Sequence, residues 1–73
     1  MKKEIIEKLK SHKLFRNPNI ISNLVFEPLE VDEEKKTIKV NCIDRVSGYS
    51  HIEVWDDWDI TLNAFLLGEY KFL

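Results

Sequence analysis

The sequence predicts an α+β fold with an N-terminal helix, a three-stranded antiparallel meander and a C-terminal helix. A short terminal strand could follow the second helix. Three observations predict it. Residues 2–13 carry Lys and Glu around a narrow apolar stripe, residues 37–55 alternate between apolar and polar around a glycine loop, and residues 59–67 are almost continuously apolar. The 73 residues contain no repeat, linker or low-complexity tract, so we expect a single domain over residues 1–73.

The first helix is predicted over residues 2–13, where most positions are good helix formers. Phe15 and its neighbour Leu14 are expected to anchor the end of this helix to the core. Pro18 follows shortly afterwards and prevents the helix from continuing, because the residue before a proline is driven out of the helical region. The apolar stripe that faces the core consists of Ile5, Ile6 and Leu9.

The first strand of the meander is predicted at about residues 23–31. Its apolar residues change parity at Pro28, which cannot donate a hydrogen bond to a neighbouring strand and is typical of an edge or a bulge. A one-residue bulge at this point would restore a single apolar face made of Leu24, Phe26, Leu29 and Val31.

The next two strands are predicted as a hairpin over residues 37–44 and 49–55. A three-residue loop, 46–48, fits between them with Gly48 in the left-handed conformation. This loop length would place Cys42 opposite Ile52, and Val40 opposite Val54. The apolar residues of both strands would then share the core face, while His51, Glu53 and Trp55 would point away from it.

The last helix is predicted at about residues 59–67, with Asp57 or Asp59 at its N-cap and Gly68 just past its end. Residues 69–73 would return as a short strand. Because the helix is apolar on most sides, either the first helix covers the part that the sheet leaves free or a second chain does.

Cysteine content and hydropathy restrict the class of protein. The single cysteine, Cys42, excludes an intramolecular disulfide framework and favours a cytoplasmic location. Charges interrupt the apolar residues near the N-terminus, so no signal peptide is expected, and no run approaches the length of a transmembrane span. We therefore expect no membrane partner.

The net charge of -2 is unevenly distributed. Residues 1–16 carry six cations against two carboxylates, whereas residues 17–73 carry five against eleven. The basic end suggests, as an alternative function, a nucleic-acid-associated protein that binds phosphates; the acidic sequence pI of about 5.6 speaks against this. Ordinary solvation of a charged surface explains the same pattern. The cations concerned are Lys2, Lys3, Lys8, Lys10, Lys13 and Arg16.

The segment 51–59 concentrates two tryptophans, a histidine and four carboxylates at the junction of strand and helix. Exposed tryptophans are frequent hot spots of protein interfaces. The predicted partner-binding surface is acidic and aromatic and consists of Trp55, Asp56, Asp57, Trp58 and Asp59. The alternative is that both indoles are covered by the chain itself.

Other chemistry in this segment receives less support. His51, Glu53 and Asp57 offer the donor types of a metal site, but the sequence has no spaced metal-ligand motif, so no metal or other cofactor is expected. The neighbouring aspartates could serve as an acid and a base, although acidic residues at such a junction are more often helix caps. Cys42 would lie on the opposite face from His51 and act as a buried apolar residue.

These observations favour a non-enzymatic interaction module, a small adaptor or inhibitor whose partner is a protein and could be a second copy of the chain. The nucleic-acid-associated protein is the second hypothesis. A small metal-dependent enzyme is the third.

Overall fold

The computed structural model describes residues 1–73 and has the expected α+β architecture. Its sheet has five antiparallel strands in the order β4-β3-β2-β1-β5, so the predicted three-stranded meander understates it. The expected terminal strand is present as β5. The elements are α1 (Lys2–Lys10), β1 (Phe15–Arg16), β2 (Leu24–Asp32), β3 (Thr37–Asp44), β4 (Ser50–Trp55), α2 (Trp58–Leu66) and β5 (Lys71–Phe72).

Both helices pack against one face of the sheet, which we call the inner face. Leu9 of α1 and Leu62 of α2 meet the inward side chains of β3 in a single core. Burial of these side chains removes apolar surface from water and is the main force holding the helices on the sheet. The fully packed members of the core are Leu9, Phe15, Ile38, Val40, Cys42 and Leu62.

Helix α1 ends at Lys10, three residues before the predicted end. The chain turns at Ser11 and at His12, whose φ of 62° is left-handed, and the His12 Nδ1 lies 2.8 Å from the carbonyl oxygen of Pro28. This early turn lets Phe15 enter the sheet as part of β1, a strand that the sequence did not predict. Phe15 pairs with both Phe26 and Phe72 and is fully buried.

The predicted bulge near Pro28 is confirmed. Strand β2 pairs with β3 in one register up to Pro28 and in a shifted register from Glu30 onward, with Leu29 as the extra residue. The shift places Phe26 and Val31 on the same side as their partners Cys42 and Ile38. The bulge thus keeps Phe26 and Val31 on the inner face, as predicted, whereas Leu29 has no partner across the ladder and Val25 lies on the outer face opposite Ile43.

The predicted register of the β3–β4 hairpin is wrong by one residue. Cys42 lies opposite His51, not Ile52, and Ile38 lies opposite Trp55. The connection has four residues rather than three, because the pairing closes with the N–H of Asp44 donating to the carbonyl of Tyr49. Asp44 stabilises the longer turn by accepting hydrogen bonds from the backbone N–H groups of the two residues that follow Arg45, at 2.9 and 3.2 Å.

This shift inverts the two faces of β4, since a one-residue change of register moves every side chain of a strand to the other side. Ile52 and Val54, expected in the core, lie on the outer face and are each 61% exposed. Trp55, expected outside, is half-buried on the inner face and packs against the core.

Helix α2 begins and ends where the sequence indicated, to within a residue. Asp57 is its N-cap residue, but the carboxylate accepts from the buried Thr61 hydroxyl at 3.2 Å rather than from a backbone N–H. Gly68 has a φ of 80° and lies just past the end of the helix. Helix α1 contacts α2, yet Ile60 and Leu67 remain largely exposed. Neither helix has the length and apolar character needed to cross a membrane.

Candidate functional site at the edge of the sheet

Strand β4 forms one edge of the sheet, and its outer side pairs with no other part of the chain. It is six residues long, whereas β5 at the opposite edge has only two. An exposed edge strand presents unpaired backbone groups and is a template for pairing with another strand. Because β4 is longer than β5, it offers more unpaired backbone groups to an added strand.

The register shows which backbone groups face the open edge. The hydrogen bond from Asp44 to Tyr49 continues the β3–β4 ladder, in which hydrogen-bonded and non-hydrogen-bonded pairs alternate. His51 and Glu53 therefore direct their backbone N–H and C=O groups toward β3. Ser50, Ile52 and Val54 direct theirs toward the open edge.

On the inner face, the same register brings Cys42, His51 and Glu53 together. One ligand atom of each lies within 4.8 Å of the others. The Nε2 atom of His51 and Oε2 of Glu53 are 2.6 Å apart, and both side chains are about half exposed, at 49% and 47%. Cys42 is buried beneath them, 3% exposed. The three side chains combine a thiol, an imidazole and a carboxylate in one cluster, here called the Cys-His-Glu cluster.

The Glu53 carboxylate is held by two neighbours on its own strand. The indole N–H of Trp55 donates to Oε1 at 2.9 Å, and His51 is hydrogen-bonded to Oε2. These two bonds stabilise the ionised form, with the indole as the larger cause, and lower the pKa of Glu53. The ionised carboxylate can only accept, so in this arrangement the proton between the two side chains belongs to Nε2 of His51.

The thiol of Cys42 is kept protonated. Burial, followed by the nearby charge of Glu53, raises its pKa to about 11. A thiol of this kind is a poor nucleophile at neutral pH, because the thiolate is the reactive form. The cluster therefore lacks the acidic cysteine that a Cys-His catalytic pair requires.

Trp55 does not form the exposed surface that the sequence predicted. Its ring stacks on Tyr70 with a centroid separation of 6.0 Å and an interplanar angle of 16°, and its edge contacts Phe26 at 5.2 Å. Trp58 is also half-buried against the core. The aspartates of the predicted surface are exposed, and they line a depression next to Lys36: Asp56, Asp57 and Asp59.

The structure also places the predicted metal ligands and the basic residues. It brings His51 and Glu53 together but joins them to Cys42 rather than to Asp57. Among the cations proposed for phosphate binding, Lys10 pairs with Glu33 at 3.1 Å and Lys8 lies 5.5 Å from the ring centre of Phe72.

Arg16 alternates with the inward Phe15 along β1 and so lies on the outer face, across the sheet from α1. The cations predicted to bind phosphates are therefore divided between two sides of the molecule.

Sequence reasoning missed the Cys-His-Glu cluster because it assigned Cys42 and His51 to opposite faces. The signal that would have found it is Asp44. An aspartate at the start of a loop commonly accepts hydrogen bonds from the next backbone N–H groups, and this favours a longer turn closed at Asp44.

No family model, curated protein or solved structure matches this chain.

Proposed function

We propose that the protein is an interaction module that binds by strand addition at β4, and that the strand it binds is β4 of a second copy. The observation that carries the proposal is the open edge of β4, where a six-residue strand exposes three sets of backbone groups beside the apolar side chains of Ile52 and Val54. Strand addition satisfies such backbone groups and covers the side chains next to them.

The sequence of β4 fits an antiparallel copy of itself in one register. Two strands related by a twofold axis through Ile52 pair Ile52 with its own copy and Ser50 with Val54. The residues that direct backbone groups to the open edge then meet each other, as an antiparallel ladder requires. Two sheets would join into one, and each Ile52 side chain would cover the other.

The charges favour this register over the neighbouring one. With Ile52 on the axis, His51 lies opposite Glu53 of the second copy, and the reciprocal pair forms as well. Moving the axis to Glu53 would place two carboxylates directly opposite each other, which destabilises a strand pair. The pairing of an imidazole with a carboxylate in both directions thus selects one alignment.

One acidic residue of the predicted surface, Asp56, keeps a role in this proposal. Residue 56 would lie opposite residue 48 of the second copy, so Asp56 would lie next to a loop that contains Arg45. A complementary charge at the rim of an interface accelerates association more than it strengthens binding. The proposed role includes no catalytic step, and the free thiol of Cys42 fits the reducing cytoplasm expected from the sequence.

The test is the oligomeric state, measured by sedimentation equilibrium over a wide range of protein concentration. We expect the unmodified chain to form a dimer and Ile52→Lys to remain a monomer, because two ammonium groups would meet on the twofold axis. Ile60→Lys is the matched control. Ile60 is a similarly exposed isoleucine, at 69%, but lies on α2.

A monomeric unmodified chain would contradict the proposal. So would an Ile60→Lys variant that dissociates while Ile52→Lys remains a dimer, since that result would place the interface on α2.

A further inference from the structure

We infer that the Cys-His-Glu cluster is a binding site for a divalent transition metal of the zinc type, with Cys42, His51 and Glu53 as its three protein ligands. The inference goes beyond strand addition, because all three ligands belong to one chain. It also differs from the set of His51, Glu53 and Asp57 suggested by the sequence.

The three donors come together through the strand register. Cys42 and His51 are direct partners across β3 and β4, and Glu53 is the next residue along the same face of β4. Side chains of directly opposite residues have their Cβ atoms about 4.5–5.5 Å apart. Rigid neighbouring strands therefore hold the donor atoms within the 4.8 Å separation found here.

These separations differ by at most about 1.2 Å from those of a tetrahedral zinc site. Zinc bonds of about 2.0 Å to nitrogen or oxygen and about 2.3 Å to sulfur imply ligand-to-ligand distances of about 3.3–3.6 Å. The Nε2 to Oε2 distance of 2.6 Å must lengthen by roughly 0.7 Å to reach this value. Both side chains are about half exposed, so small rotations about their side-chain bonds accomplish the change.

The donor types and their charge select the metal. A thiolate and a carboxylate together balance a charge of +2, so the filled site is neutral beside the apolar core. Thiolate and imidazole ligands suit zinc and disfavour magnesium and calcium, which prefer oxygen ligands. Coordination transfers the thiol proton to solvent and moves the ring proton of His51 from Nε2 to Nδ1, so that Nε2 can bind the metal.

Trp55 acts as a positioning residue for this site. Its indole N–H fixes Oε1 of Glu53 at 2.9 Å and leaves Oε2 directed toward His51. Partners of this kind orient the ligands of protein metal sites, and their loss typically weakens binding by about 10–100-fold. Three protein ligands leave the fourth position toward solvent for water or another ligand.

The experiment uses the full chain freed of metal by chelation and then titrated with Zn²⁺ by calorimetry and with Co²⁺ by absorption spectroscopy. We expect one ion per chain and a thiolate-to-cobalt charge-transfer band in the near ultraviolet. His51→Ala and Glu53→Gln change half-exposed side chains, so both should fold, and each should weaken Zn²⁺ binding by more than about 100-fold, beyond the loss typical of an orienting partner. Trp55→Phe should weaken it by about 10–100-fold.

The matched control is His12→Ala, which removes the only other histidine of the chain. It should leave Zn²⁺ binding unchanged. Performing the titrations in the Ile52→Lys background separates this inference from the proposed dimer, because the Ile52 side chain lies on the outer face, opposite to that of the ligands. Absence of the charge-transfer band, or equal losses in His12→Ala and His51→Ala, would overturn the site whatever the oligomeric state.

Discussion

The inverted faces of β4 lead to a sharp prediction about two adjacent residues. Trp55→Ala removes a ring that contacts Tyr70, Phe26 and Phe15 at centroid distances of 6.0, 5.2 and 5.9 Å. It also removes the indole hydrogen bond to Glu53. Val54→Ala removes two methyl groups from a side chain that is 61% exposed on the outer face.

The expected costs follow from these contacts. Replacing a fully buried tryptophan by alanine costs about 3–5 kcal/mol, and each aromatic pair contributes about 0.5–1.5 kcal/mol. Because Trp55 is only half-buried, we expect Trp55→Ala to lower the free energy of unfolding by about 2–4 kcal/mol. Val54→Ala should lower it by at most about 1 kcal/mol, the range of exposed strand positions.

A chain of 73 residues has a free energy of unfolding of roughly 4–11 kcal/mol, so Trp55→Ala removes a large share of it. Trp55→Phe should have an intermediate cost, because phenylalanine retains the ring contacts and loses the N–H donor. The assay is urea unfolding followed by far-ultraviolet circular dichroism, with each substitution in the Ile52→Lys background so that association does not contribute.

The order of the two costs is the decisive result. If the register predicted from a three-residue loop were right, Val54 would be in the core and Trp55 outside, and Val54→Ala would be the more destabilising change. That outcome would refute the β3–β4 register, and both the strand-addition proposal and the Cys-His-Glu site would lose their basis.

Three further predictions concern the loops and the basic residues. Gly68→Ala and Gly48→Ala should each lower the free energy of unfolding by about 1–2 kcal/mol in thermal or urea unfolding, because both glycines have a φ near +80°, which a residue with a side chain adopts only with strain. The added methyl group meets no close atom, so the cost comes from the backbone alone. Equal stability of either variant would argue against the left-handed turn. The backbone hydrogen bonds from Val46 and Ser47 lower the pKa of the Asp44 carboxyl below its ordinary value of 3.8. The ionised carboxylate therefore stabilises the fold above pH 3.8, and this stabilisation is lost as the pH falls and the carboxylate is protonated. Asp44→Asn should therefore show a weaker loss of stability between neutral pH and pH 3 than the unmodified chain, and identical pH profiles would contradict the turn. We expect no salt-sensitive binding to duplex DNA, since Arg16 lies across the sheet from α1; an affinity that falls steeply with salt in a mobility assay would restore the phosphate-binding hypothesis.

Much of the fold was predictable because its signals are local. The alternation of β3, the bulge at Pro28 and the helix end at Gly68 each depend on residues within a few positions of one another. Strand β1 was not predictable in this way. It has two residues, and Phe15 becomes a strand residue only because β2 and β5 lie on either side of it.

The candidate site was predicted less completely than the fold. Segment 51–59 was identified from its composition, and it does contain five of the six residues of the edge strand and two of the three proposed metal ligands. In one register the apolar residues of β3 lie opposite Ile52 and Val54, and in the other register they lie opposite Trp55. Both registers pair apolar residues with apolar residues, so the faces of β4 were assigned wrongly. Hydropathy alone cannot choose between a strand that buries two aliphatic side chains and one that buries an indole.

The sequence by itself determined the α+β class, the order of the elements and the segment in which unusual side chains collect, because periodicity and turn residues act over short distances. Only the tertiary structure decided which face of β4 is buried. Tyr70 returns from beyond α2 to stack on Trp55, and Phe26 of β2 packs against the same ring. Contacts between residues far apart in the chain thus selected the register that places Cys42 beside His51.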